Sequence, residues 1–582
     1  MAALPTDEGA RVTPEAGRRH LAGLCLVTLL GVFAYAYGLG GPHIPKNGDE
    51  YAYEHITRLT AGSGTLLPLR SDIPALRNTK PPLLFWQGIA STNGGRDWTL
   101  ARLRYPSVVY TLLTAALVFA VGLRLSGRPE TGLRALVVFL AFFSTYRYGR
   151  PFLTNAPEVF WLFLPFAALL LRPRGVAGSR ALAPVLVGVP IGLALLYKSF
   201  ALVVPAGLAL TWWHLRSRDG RLATFVAKDA WRIALAMAIA LAMFASWFAL
   251  DPDPANVWRD FVLRENAGKF DQPGGYLPRL LWGSSSLWSL ALGYPLNAGL
   301  LFFPVLALFV VAWRRRAEQS EGEARLWILV VTFLLVYSVP SQRSSRYLLP
   351  AMPALAVLLA LGWQRLGRWL FVTSLAATAT VLALLGVLSL RLHQAMPGLR
   401  PHPAVDGCLL GAAGAVVLAG LLVPALTRSL ALAAVFLAYL SFALLVRPFD
   451  GPAGQYEPRA RAHARGREVW VPYDFVAKEE RYRFLLPGAN VVGYREERRP
   501  AAPEPMPRGT LVALQVPLHG DACAGCTVVG RRLDIRGRQT AAELRDVLDG
   551  RVSPALFVEE LLVETPGAET GPSTTGNAAS PR

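Results

Sequence analysis

Trp231-Arg-Ile-Ala-Leu-Ala-Met-Ala-Ile-Ala-Leu-Ala-Met-Phe-Ala-Ser-Trp-Phe-Ala-Leu250 is apolar over the length, about 20 residues, that a helix needs to cross a hydrocarbon core. Arg216, Arg218, Arg221 and Lys228 precede it, and Asp251 follows. An apolar run with its cations on one side reads as an oriented membrane helix, because short basic loops stay in the cytoplasm. Working outward, about 13 such runs can be marked, at 20–38, 105–126, 133–147, 156–171, 181–197, 199–215, 230–250, 294–313, 325–339, 347–363, 368–391, 408–426 and 429–446. The closely spaced pair at 181–215 can be read as one long segment or two short ones. Composition agrees with a polytopic, α-helical membrane protein: of 582 residues 53% are apolar and 17% charged, and the mean hydropathy is +0.36.

Every second loop is basic: Arg18 and Arg19; Arg124, Arg128 and Arg134; Arg172, Arg174 and Arg180; the Arg216–Lys228 group; Arg314, Arg315 and Arg316; Arg365 and Arg368; Arg428. This register predicts a cytoplasmic N-terminal tail, 1–19, a membrane core, 20–450, and a C-terminal region on the outer face. The net charge of +20 is then topological anchoring, and cations scattered over one membrane face argue against a nucleic-acid partner. The run Leu21–Leu39 is long for a signal peptide and has no small-x-small cleavage site, which favours an uncleaved first helix over a cleaved signal. No internal repeat is present.

From 451 the composition becomes that of a soluble domain. Strands are expected at 468–472, 510–516, 527–535 and near 556, with helices at 478–486 and 540–548, giving a small α/β domain over 451–565 and a disordered tail, 566–582. Cys25 and Cys408 lie in apolar runs and read as packing residues. Cys523-Ala-Gly-Cys526 leads into a strand, so a short disulfide at a loop tip is preferred to a thioredoxin-like motif, which would open a helix. A zinc site would need more ligands than His519 adds.

The loops assigned to the outer face, 39–104, 148–155, the Lys198 turn, 251–293 and 340–346, hold the residues suited to chemistry. Asp49-Glu50 opens an amphipathic stretch ending at Gly62-Ser-Gly64, where the plainer role for two acids is to complement a helix dipole. Lys80-Pro-Pro-Leu starts a membrane-edge helix, and its ammonium suits either a phosphate or a snorkelling position. Asn155-Ala-Pro-Glu158 has the spacing of a capping box, with Asn155 as N-cap. Lys198-Ser199, Arg264-Glu265-Asn266 and Ser341-Gln-Arg343-Ser-Ser-Arg346-Tyr347 add polar groups that together suit a phosphate-linked lipid head.

In this order, Asp49-Glu50-x-x-Tyr53, Lys80-Pro-Pro-Leu-Leu-Phe-Trp86, Ala101-Arg102, Leu195-Leu-Tyr-Lys198, Phe261-Val-Leu-Arg264-Glu265-Asn266 and Arg346-Tyr347-Leu-Leu-Pro350 resemble the ArnT-like and protein mannosyltransferase superfamily of GT-C glycosyltransferases. The resemblance covers about 20–450. It implies a multi-pass inner-membrane enzyme that moves a sugar from a polyprenyl-phosphate donor to lipid A, another envelope glycan or a protein, at the periplasmic face. It also implies Asp49 as base with Glu50 in support, and Lys80, Lys198, Arg264, Arg343, Arg346 and Tyr347 at the donor phosphate. Asn155 departs from the pattern, which has Asp there: Glu158 takes the second acid role, one acid cluster suffices, or activity is impaired. A divalent metal ion stays open as cofactor. A protein O-mannosyltransferase shares the first-loop pattern. A transporter or flippase is disfavoured, since no matching pair of Gly/Pro-broken helices appears and the polar groups collect at one face.

Overall fold

The computed structural model describes residues 14–41, 48–73, 76–172, 182–270, 275–395, 403–473, 477–495, 509–535 and 557–566. The chain divides into two compact units, Met1–Val387 with His402–Leu445, and Leu388–Pro401 with Val446–Arg582.

The first unit is helical, and each apolar run falls on helix. Among the described residues seven helices are long and apolar enough to cross a membrane, and Asn155–Leu171, Leu182–Tyr197 and Ser345–Leu361 are shorter apolar helices. The chain is a multi-pass membrane protein. The ambiguous pair at 181–215 is two helices, Leu182–Tyr197 and Val203–Arg216, separated by a 3-10 turn, Phe200–Leu202. The break follows from Ser199, whose Oγ accepts from the Ala201 N–H at 3.1 Å and starts a new turn in place of the old helix. The run at 133–147 is also two helices, Pro129–Ala141 and Phe143–Gly149, split where Phe142 turns extended. Leu182–Tyr197 packs closely on Trp231–Leu250 through Gly188, where an added Cβ would lie 2.5 Å from the Ala236 carbonyl oxygen. Close backbone approach at small residues is how helices associate where no hydrophobic drive exists between them. Cys25 and Cys408 are exposed on their helices, so they do not pack inward as their apolar surroundings had implied.

The second unit holds a five-stranded mixed sheet in the order β2-β1-β3-β5-β4, made of β1 (Glu468–Tyr473), β2 (Asn490–Arg495), β3 (Leu511–Pro517), β4 (Thr527–Ile535) and β5 (Phe557–Glu564). Strand β1 pairs in parallel with β2 and β3, and β5 runs antiparallel between β3 and β4. Strand β2 was not foreseen: Asn490-Val-Val-Gly-Tyr-Arg495 carries a Gly and two polar ends, a weak strand signal that pairing with β1 overrides. Val469, Val471, Leu511 and Leu562 form the core with Tyr456 and Tyr482. The buried Glu560 carboxylate accepts from both tyrosine hydroxyls, at 2.8 and 2.6 Å, and from Arg532 and Arg481, at 2.7 and 2.8 Å. Burial alone would raise its pKa, but the two guanidinium groups hold it below the ordinary value. Cys523 and Cys526 form a disulfide with Cα atoms 5.3 Å apart. The expected helix at 540–548, and the tail from 567, lie outside the described residues.

Candidate active site

Asp49 and Glu50 are neighbours in the first turn of the helix Gly48–Gly62, and successive residues on a helix point about 100° apart. They have different partners. Glu50 is buried and receives Arg104 in a two-pronged pair, 2.7 Å from Nε to Oε1 and 2.7 Å from Nη2 to Oε2. Its Oε1 also accepts the Phe152 backbone N–H at 2.7 Å, and Arg104 donates to the carbonyls of Leu39 and Gly41. Glu50 thus ties the helix Gly48–Gly62 to the long helix Leu100–Ser126 and does not stand beside Asp49 as a supporting acid. The Asp49 side chain is 45% exposed, and its Oδ2 accepts from Arg346 Nη1 at 2.5 Å.

Asn155 joins this pair to a second acid. Its Oδ1 accepts from Arg346 Nε and Nη2 at 3.0 and 2.8 Å, and its Nδ2 donates to Glu158 Oε2 at 3.3 Å. Glu158 is buried and receives Lys198 Nζ at 2.8 Å. The capping box read from the spacing does not form: Thr154 is the cap position, without a side-chain bond, and Asn155 is already helical. An amide suits the place it occupies, accepting from a guanidinium on one side and donating to a carboxylate on the other, which no carboxylate can do while ionised. Burial, with Arg346 and Lys80 nearby, pulls the Lys198 ammonium down to about 8, against the opposing pull of Glu158.

A third acid lies in a separate cluster. The segment Trp258–Asn266 winds as a π-helix, a form that recurs at functional sites, and it delivers Glu265 to Lys80 at 2.6 Å; Lys269 reaches the same Oε1 at 3.5 Å. Burial works against the charge on Lys80, yet Tyr53, Glu265 and Asp49 outweigh it and hold its pKa above the ordinary lysine value. Burial would raise the Glu265 pKa, but Lys80 and Lys269 hold it low. The Lys269 pKa falls through burial and Lys80, in spite of Glu265. Tyr347 lies 6.0 Å, ring centroid to Nζ, from Lys269 and within electrostatic reach of Glu265, Lys80, Arg346 and Glu158. It therefore sits where the two clusters meet.

Both clusters border a cavity of about 630 Å³. One part of its wall is polar, with Glu158, Lys198, Asn266, Lys269 and Tyr347, and the remainder is apolar, with Phe200, Leu202, Leu208, Val262, Val336 and Val339. Ser199 donates to Asn266 Oδ1 at 2.7 Å and fixes one edge of the polar part.

Two expected phosphate ligands are used elsewhere. Arg343 is buried and donates to the backbone carbonyls of Ser338 and Ser285 at 2.7 and 3.2 Å, pinning its own loop. Arg264 is half exposed and pairs with Asp260 at 3.4 Å. Lys269 was missed as a site residue, although its i, i+4 spacing to Glu265 was visible, and Glu265 was named within Arg264-Glu265-Asn266 without a role of its own. Among the described residues no three His, Cys, Asp or Glu side chains converge as a metal site requires. Asp49, Glu158 and Glu265 are each matched to a cation instead. Among the described residues these acids, each paired with a cation, do not fit a divalent ion.

Residues 52–259 match the family model described as dolichyl-phosphate-mannose-protein mannosyltransferase. The undecaprenyl phosphate-alpha-4-amino-4-deoxy-L-arabinose arabinosyl transferase of Pectobacterium carotovorum is 26% identical over 407 residues, 64% of this chain and 66% of that protein. Its counterpart 1 in Sodalis glossinidius is 30% identical over 350 residues, 58% of each chain. The matches thus span from under three-fifths to just under two-thirds of those relatives' own length. The crystal structure of ArnT from Cupriavidus metallidurans bound to undecaprenyl phosphate superposes with a TM-score of 0.57 at 18% identity, covering 81% of this chain and 86% of that one. Its apo state gives 0.55 at 17% identity, covering 82% and 86%. Over residues 52–259 the chain is thus similar to the mannosyltransferase model, over about three-fifths of its length to the arabinosyl transferases, and in fold to ArnT, the likeness that the motifs had implied.

Proposed function

We propose that this ArnT-like chain is an inner-membrane glycosyltransferase that moves a sugar from a polyprenyl-phosphate donor to an envelope acceptor, with lipid A the leading candidate. The observation that carries the reading is the cavity: an apolar wall of the kind a prenyl tail needs meets a polar end with Lys269, Lys198 and Tyr347, and Lys80 shares the Glu265 carboxylate with Lys269. Ammonium groups concentrated at one end of an apolar cleft suit a phosphate whose tail lies in the remainder.

The chemistry follows from the charges. The acceptor's O–H gives its proton to Asp49 while its oxygen attacks the anomeric carbon in line. The bond from that carbon to the phosphate oxygen breaks, its electron pair stays with the phosphate, and the configuration inverts. Lys80 and Lys269 receive the charge that develops on the leaving group, and stabilising charge where it appears is the larger part of such catalysis. Arg346, held by both Asn155 and Asp49, positions the base; Glu50 and Arg343 hold the framework; Glu158 serves Lys198. The alternating basic loops support a cytoplasmic N-terminus, with the site and the α/β domain on the periplasmic side. A second reading keeps the same steps with a Ser or Thr hydroxyl of a secreted protein as acceptor. The match of residues 52–259 to the protein mannosyltransferase model favours it.

Binding of undecaprenyl phosphate to the purified protein in nanodiscs, followed by native mass spectrometry, tests the site. Wild type should bind, and Lys80→Ala with Lys269→Ala should weaken binding at least about a hundredfold, since each charge-assisted bond contributes about 1.5–3 kcal/mol. Equal binding by the double variant would remove the two lysines from the phosphate site.

A further inference from the structure

Lys80 and Lys269 converge on a single oxygen, Oε1 of Glu265, at 2.6 and 3.5 Å. That oxygen occupies the position a phosphate oxygen bridging the two lysines would take. All three side chains are mostly buried, with 14%, 26% and 31% of their surface exposed, so their charges are poorly screened. Lys80 spends a second of its three N–H groups on the Thr79 carbonyl at 2.8 Å. The other cations of the site are already balanced, Arg346 by Asp49 and Lys198 by Glu158. Two lysines and one glutamate leave this cradle with a net charge of +1.

We infer that Glu265 sets the charge of the cradle to match a singly charged phosphodiester and to disfavour the more highly charged phosphomonoester left after transfer. The inference rests on the reading of Lys80 and Lys269 as phosphate ligands. A polyprenyl-phosphate sugar is a diester with one negative charge, which the cradle neutralises. Once the sugar has left, the monoester carries about −1.5 to −2 at neutral pH, and the excess is felt by Glu265 a few ångströms away. Glu265 is thus a positioning residue with two effects. In the empty site it holds two ammonium groups together that would otherwise repel. After transfer it competes with the product for those same groups and speeds its departure. Asp49 also acts on Lys80 through space, but Glu265 is the acid that contacts both lysines directly, whereas Asp49 and Glu158 contact Arg346 and Lys198.

The test is Glu265→Gln, which keeps the shape and the acceptor oxygen and removes the charge. Undecaprenyl phosphate is the probe, measured by affinity in nanodiscs and as an inhibitor of turnover. The variant should bind it roughly tenfold more tightly than wild type, well short of the bare Coulomb value because the site is partly exposed. Product inhibition should rise in parallel, and kcat should fall while KM for the donor does not rise, as expected when product release becomes slower. Glu265→Asp, which restores the charge, should return product affinity towards the wild-type value, and thermal unfolding in the same nanodiscs checks that each variant is folded. Unchanged or weaker product binding by folded Glu265→Gln overturns the inference, leaving the lysine site intact if Lys80→Ala still loses binding. Failure of the wild type to bind the probe overturns the phosphate site itself.

Discussion

Asp49→Asn should lower sugar transfer at least about a hundredfold while undecaprenyl phosphate still binds, because the change removes a proton acceptor and keeps the shape. The amide oxygen can still accept from Arg346, so the guanidinium keeps its bonds to Asn155 and stays in place. Release of undecaprenyl phosphate per mole of protein, beside the binding measurement, separates the two effects. A drop in turnover with unchanged binding is a loss of chemistry. Normal turnover would remove Asp49 from the mechanism, and parallel loss of both would make it a ligand of the donor.

Glu50→Ala should act on the fold. Arg104 is buried and would be left without the carboxylate that accepts two of its N–H groups, and Phe152 N–H would lose its acceptor. Removing one partner of a buried pair costs about 3–5 kcal/mol. The expected result is a large fall in thermal stability in detergent. Glu50→Ala with Arg104→Leu should recover much of the loss, because no buried charge is then left over. If Glu50→Ala melts like wild type and has lost transfer, Glu50 belongs to the chemistry after all.

These two neighbours show where the chain could be read and where it could not. Apolar runs and basic loops are properties of segments, and segments of about 20 residues average over local detail, so the helices appear where the hydropathy puts them. The direction of a side chain is a property of one residue. Asp49 and Glu50 differ by a single helical step, and that step sends one to Arg346 and the other to Arg104. Arg343 precedes and Arg346 follows Ser344, whose hydroxyl accepts from the Arg346 backbone N–H and starts the 3-10 turn that aims Arg346 at Asn155. Asn155 itself was read as a cap because its spacing to Glu158 fits one. The helix starts at Asn155 itself, and a bond from Arg346, 191 residues away, claims the side chain. Lys269 escaped notice because an i, i+4 pair with Glu265 reads as an ordinary helix-surface pair, and only the fold brings Lys80, 185 residues from Glu265 in sequence, to the same oxygen.

On the proposed reading this chain moves a sugar onto an envelope acceptor and needs Asp49 to do so. Mass spectrometry of the envelope lipids, glycans and secreted proteins from a deletion strain, complemented with wild type or with Asp49→Asn, tests it whichever of these is the acceptor. A species heavier by one sugar residue should disappear on deletion, return with wild type and stay absent with Asp49→Asn. An unchanged envelope on deletion, or full restoration by Asp49→Asn, would contradict that reading.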